Sequence, residues 1–64
     1  MLHEEWSKEV RKALIDKGES IRDMARSLGY TAEWCRATIY GRDINPGMVS
    51  KISEYVGVTN YMEV

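Results

Sequence analysis

The stretch SIRDMARSLGYTAEWCRATIYG, Ser20 to Gly41, holds two short apolar helical runs with a corner between them. Ala25 and Gly29 stand four residues apart near its centre. Two helices that cross steeply bring their backbones together at one point, so only a small side chain fits at Ala25. The corner wants a residue that accepts positive φ, which Gly29 does freely. Ser20 is placed to cap the first run with its hydroxyl, and Ile21, Met24, Ala25 and Leu28 fall on one inner face. Thr31 caps the second run, Glu33 stands near its positive end, and the helix continues to Gly41.

The same patterning extends outward on both sides. Upstream, Trp6, Val10, Ala13 and Leu14 recur at i, i+4, i+7 and i+8, a single apolar stripe that Gly18 brings to a stop. Glu4, Glu5, Lys8, Glu9, Lys12 and Asp16 fill the rest of that helix as a solvated face with a few weak i, i+4 pairs. Downstream, Arg42 to Asn45 is a short polar connection. Asn45 followed by Pro46 signals a helix start, because proline loses nothing in a first turn, and Val49, Ile52, Ser53 and Val56 mark an inner face ending at Gly57. The tail VTNYMEV, residues 58–64, reads equally as a further turn of helix or an extended arm. The pattern predicts an all-α fold, a small four- to five-helix bundle in one domain over residues 1–64, with the cornered pair at about 20–41 and a fourth helix at about 46–56.

A chain of 64 residues has a marginal core, and its single cysteine cannot form an internal disulfide. No Cys/His cluster has metal-ligand spacing, so no metal or cofactor is expected, and Cys35 reads as a small buried core residue. The N-terminal MLHEEWSKEV lacks the basic start and apolar run of a secretory signal, and no apolar stretch approaches the ~18 residues of a membrane span. A soluble, cytoplasmic protein is expected. Nothing joins a nucleophile to a base, no glycine-rich phosphate loop is present, and no small-molecule substrate suggests itself, so an enzyme is not expected. The net charge of -1 and pI near 5.7 are unlike those of a basic nucleic-acid binder. The distribution is more informative: Arg22, Arg26, Arg36 and Arg42 outnumber Asp23 and Glu33 within residues 20–42, while both flanks are net acidic.

Leu14, the Met24-Ala25 pair, Leu28-Gly29, the small Cys35, Gly41 and NPGMVSKISEYVGV (residues 45–58) together carry a resemblance. From about Val10 to Val58 the chain resembles the helix-turn-helix family of lambda-type Cro and repressor proteins, often called the XRE family. The resemblance implies a lambda repressor-like DNA-binding domain and a sequence-specific transcriptional regulator of the phage or mobile-element kind. Such a protein acts on double-stranded DNA as a homodimer, because one helix reads few base pairs and two helices a turn of DNA apart multiply the discrimination. Its third helix enters the major groove. Carried over, the base-reading face is Thr31, Ala32, Glu33, Arg36, Ala37 and Tyr40, with Arg36 matched to guanine and Glu33 to cytosine N4. Arg22, Arg26, Arg42 and the amides opening the second and third helices would hold phosphates.

The chain also departs from the family pattern. Ile21 stands where a phosphate-reaching glutamine is common, Thr38 and Ile39 replace an apolar-then-glutamate pair, and the reading face lacks Gln and Asn. Trp34 and Tyr40 add aromatic surface to a helix that in a DNA reader is polar outside. These features, with the acidic balance, define an alternative: a helix-turn-helix-fold modulator, anti-repressor or antitoxin-like, that binds a protein such as a repressor. Its candidate interface is Trp34, Ile39, Tyr40, Val58, Tyr61 and Met62, of which Val58, Tyr61 and Met62 also suit a homodimer contact. Trp34 reads first as a packing residue, His3 as a solvated residue near the terminus, and Tyr30, Tyr55 and Tyr61 as rim residues.

Overall fold

Four helices in succession account for most of the computed structural model, which describes residues 3–58: α1 (His3–Lys17), α2 (Ile21–Leu28), α3 (Ala32–Ile39) and α4 (Pro46–Val56). The described residues contain no strand, as the all-α expectation requires. The expectation of a further turn of helix or an arm, with Tyr61 and Met62, falls on residues outside the described ones. Among the described residues no helix is long and apolar enough to cross a membrane.

The helix starts follow from side chains that satisfy otherwise orphaned amides. Ser20 and Asp23 form a reciprocal capping box: the Asp23 amide donates to Ser20 Oγ at 3.1 Å, and the Ser20 amide donates to Asp23 Oδ2 at 3.0 Å. Thr31 Oγ1 accepts from the Trp34 amide at 3.1 Å, and Asn45 Oδ1 accepts from the Met48 amide at 3.1 Å just ahead of Pro46. Three residues, Gly29 to Thr31, turn α2 into α3, and Gly29 adopts φ 80°, the left-handed conformation the corner demands.

Trp6, Val10 and Leu14 of α1, Met24 and Ala25 of α2, Cys35 and Ile39 of α3, and Met48 and Ile52 of α4 form one buried core. Trp6 is fully enclosed, which removes about 200 Å² from water and contributes at most about 5 kcal/mol. Its indole Nε1–H donates to Ser53 Oγ at 2.8 Å, a buried bond joining α1 to α4. That bond explains why a serine occupies an inner position of α4. The inner face of α4 is rotated from the expected one, with Met48 buried and Val49 and Val56 only partly so. Ala13 likewise sits at the edge of the α1 stripe.

Two expectations give way here. Ile39, expected as an anchor for a partner, is 0% exposed, because its side of α3 packs into the core while Arg36 and Tyr40 take the outer side. His3, expected to be solvated, is half-buried: its ring lies 5.2 Å from that of Trp6, and Nε2–H donates to the Ile39 carbonyl at 3.1 Å. The start of α1 is thereby tied to the end of α3. Val58 packs partly against the core of its own chain, which reduces what it offers to a partner.

Candidate functional site

Helix α3 has two faces of opposite character. Cys35, Thr38 and Ile39 point inward and are buried, and burial pushes the Cys35 thiol pKa up. Glu33, Arg36 and Tyr40 recur at i, i+3 and i+7 and are all exposed, a single outward stripe. Between the faces, Ala37 is half-buried and Ala32 packs against the core, so neither is a freely presented reading residue. Thr31 is exposed, but its hydroxyl oxygen already serves as the α3 cap. The six expected reading residues thus divide into three that face solvent along the helix and three that frame it.

Trp34 lies beside the stripe and is 40% exposed. Its ring meets Tyr30 edge-on at 5.3 Å between centroids, so one aromatic side is packed and the other is open to solvent. The far end of α3 is closed by a loop: Thr38 Oγ1–H donates to the Asp43 carbonyl at 3.2 Å, and the Arg42 amide donates to Ala37 O at 2.9 Å. This closure explains why Thr38 is buried without a polar penalty.

All four arginines between residues 20 and 42 are exposed. Arg22 and Arg26 share one face of α2, with Asp23 between them in sequence. The Asp23 carboxyl is held below its ordinary pKa, chiefly by the hydrogen bonds from Ser20 and to a lesser degree by Arg26 and Arg22. The opening of α2 therefore carries a carboxylate in its capping box, which competes with any phosphate for the positive end of the helix. The opening of α3 has Ala32 and Glu33 amides outside its cap bond. Arg42 follows the left-handed Gly41 and extends the exposed basic set past the end of α3.

No family model, curated protein or solved structure matches this chain. The site stands on its own side chains.

Sequence reasoning missed Arg11. From α1 its guanidinium lies over the Tyr40 ring, 5.2 Å from the centroid, and its Nε–H donates to the Ser7 carbonyl at 3.3 Å. A shallow cleft of about 320 Å³ beside the pair is lined by His3, Glu4, Ser7, Arg11, Ile39 and Tyr40. The one signal available was that Arg11 follows buried Ser7 by a helical turn and so flanks the apolar stripe. Elsewhere, Tyr55 donates its hydroxyl hydrogen bond to the Glu19 carboxylate, with Lys17 5.0 Å from its ring centre, and ties α4 to the α1–α2 connection. Among the described residues no three His, Cys, Asp or Glu side chains gather as a metal ion needs.

Proposed function

We propose that this chain is a helix-turn-helix, sequence-specific DNA-binding transcriptional regulator that acts in the cytoplasm as a homodimer on a palindromic operator. The phage or mobile-element setting comes from the sequence resemblance. The observation that carries the reading is the solvent-facing Glu33–Arg36–Tyr40 stripe of α3, set on a helix whose opposite side is locked into the core. A short, rigidly seated helix with an outward arginine and carboxylate is what major-groove readout needs. Arg36 reads guanine, Glu33 accepts from cytosine N4, and exposed Arg22, Arg26 and Arg42 hold the backbone around them. No catalytic role is assigned to any residue.

The test is selection of binding sites from a randomised duplex pool at low and near-physiological salt. A palindromic motif whose binding falls steeply with salt is the expected result. Arg36→Ala should then weaken specific binding by about 1–3 kcal/mol and relax one position of the motif. A pool that emerges unenriched would overturn the assignment.

The exposed aromatic surface favours one second reading, a modulator that binds a protein. Trp34 at 40% and Tyr40 at 53% exposed are its remaining anchors now that Ile39 is enclosed, and Ile44, also 53% exposed, lies in the loop beyond them. Contact through these groups would respond weakly to salt, which separates it from phosphate binding.

A further inference from the structure

Tyr40 sits at the C-cap of α3, beyond the eight residues Ala32–Ile39 that form the helix. A helix of that length is about 12 Å long, and the major groove is about 12 Å wide. When the residues from Glu33 to Arg36 meet base edges, the C-cap beyond them therefore stands toward the wall of the groove, where the sugar-phosphate backbone runs. Tyr40 is 53% exposed there, and Arg11 joins it from a different helix.

Two bonds make this pair a prepared site. The Arg11 Nε–H bond to the Ser7 carbonyl and the cation–π contact of the guanidinium with the Tyr40 ring hold the arginine in place before any ligand arrives. The His3 bond to the Ile39 carbonyl holds the start of α1 against the end of α3, so the two residues keep their relation. Less side-chain freedom is then lost on binding. Glu4 also lines the cleft, but it lies 4.0 Å from Lys8 Nζ, an ion pair that offsets part of its charge.

We infer that Arg11 and the Tyr40 hydroxyl form a clamp for one DNA phosphate, Arg11 supplying the charge and Tyr40 a hydrogen bond. The assignment rests on the DNA-binding reading and moves Tyr40 from base reading to backbone contact. It adds a basic residue from outside residues 20–42 to the interface.

The experiment measures operator and scrambled duplex affinities across a salt series for wild type, Arg11→Ala, Arg11→Lys, Tyr40→Phe and Arg36→Ala, with a thermal melt of each. Arg11→Ala should lower the slope of log affinity against log salt by about 0.9 per protomer, about 1.8 for a dimer, and leave the operator-to-scrambled ratio unchanged. Arg11→Lys keeps a charge at the site and should restore most of the slope. Tyr40→Phe should weaken both duplexes equally, several-fold, without changing the slope. Arg36→Ala, by contrast, should collapse the ratio.

An unchanged slope in Arg11→Ala overturns the clamp, as does an altered ratio in either Arg11→Ala or Tyr40→Phe. Loss of affinity that tracks only a lowered melting temperature, with the slope intact, overturns it too. If wild type binds no duplex at any salt, the DNA-binding reading itself fails, and the clamp with it.

Discussion

Replacing Ser53 by alanine should destabilise this protein, even though alanine is the better helix former. Ser53 is fully buried, and its Oγ accepts the indole N–H of Trp6 at 2.8 Å, near the optimum for an N–H···O bond. In Ser53→Ala the indole N–H keeps its buried position and loses its acceptor, a cost of about 1–3 kcal/mol. Helix propensity returns roughly half a kcal/mol. The net loss is about 0.5–2.5 kcal/mol, out of a total stability on the order of 3–10 kcal/mol for a chain of this size. At about 4–8 °C per kcal/mol, a loss near the middle of that range lowers Tm by roughly 6–12 °C. Thermal and urea melts followed by far-ultraviolet circular dichroism measure it. Trp6→Phe supplies the control, because it removes the orphaned donor. It should cost less in the Ser53→Ala background than in wild type, and equal costs in the two backgrounds would refute the reasoning, as would a Ser53→Ala melt indistinguishable from wild type.

Gly29→Ala and Gly41→Ala both force alanine into positive φ, at about 1–2 kcal/mol. A Cβ at Gly29 meets nothing within 4 Å, whereas one at Gly41 comes within 3.3 Å of the His3 ring, so Gly41→Ala should destabilise more, by an excess that disappears in a His3→Ala background; melts of Gly29→Ala, Gly41→Ala, His3→Ala and the His3→Ala/Gly41→Ala double variant measure this. Cys35 is fully enclosed and its thiol pKa is raised by burial, so a disulfide reagent should modify it slowly in native protein and promptly in urea; fast native labelling would contradict its place in the core. The depressed pKa of Asp23 stabilises the fold above the ordinary carboxylate pKa of 3.8, and this contribution is lost as pH falls through the lower folded value. Asp23→Asn should therefore flatten the acid limb of the stability profile below that pH, and carboxyl NMR titration should find the Asp23 midpoint below the ordinary 3.8.

What could be read in advance depended on whether the signal was local. Ser20, Thr31, Asn45 and Pro46 act within three residues of themselves, so their capping roles were legible before any packing was known. The buried stripe of Trp6, Val10 and Leu14 followed from helical period alone. The division of α3 was less accessible, because Ala32 and Ala37 are small enough to suit either face and Thr38-Ile39 could pack inward or outward on sequence alone. His3 read as solvated and Arg11 escaped notice because their partners, Ile39 and Tyr40, are distant in sequence.

The sequence by itself determined that this protein is helical, where α2, α3 and α4 begin, and which residue types had to be small or glycine at the corner. Those features depend on dihedral preference, short-range hydrogen bonding and apolar period, all of which act within a few residues. Tertiary structure alone decided which face of α3 meets solvent, that Ile39 is core rather than surface, and that α1 places Arg11 over Tyr40. These outcomes depend on how helices far apart in the chain share a core, and no local preference carries that information.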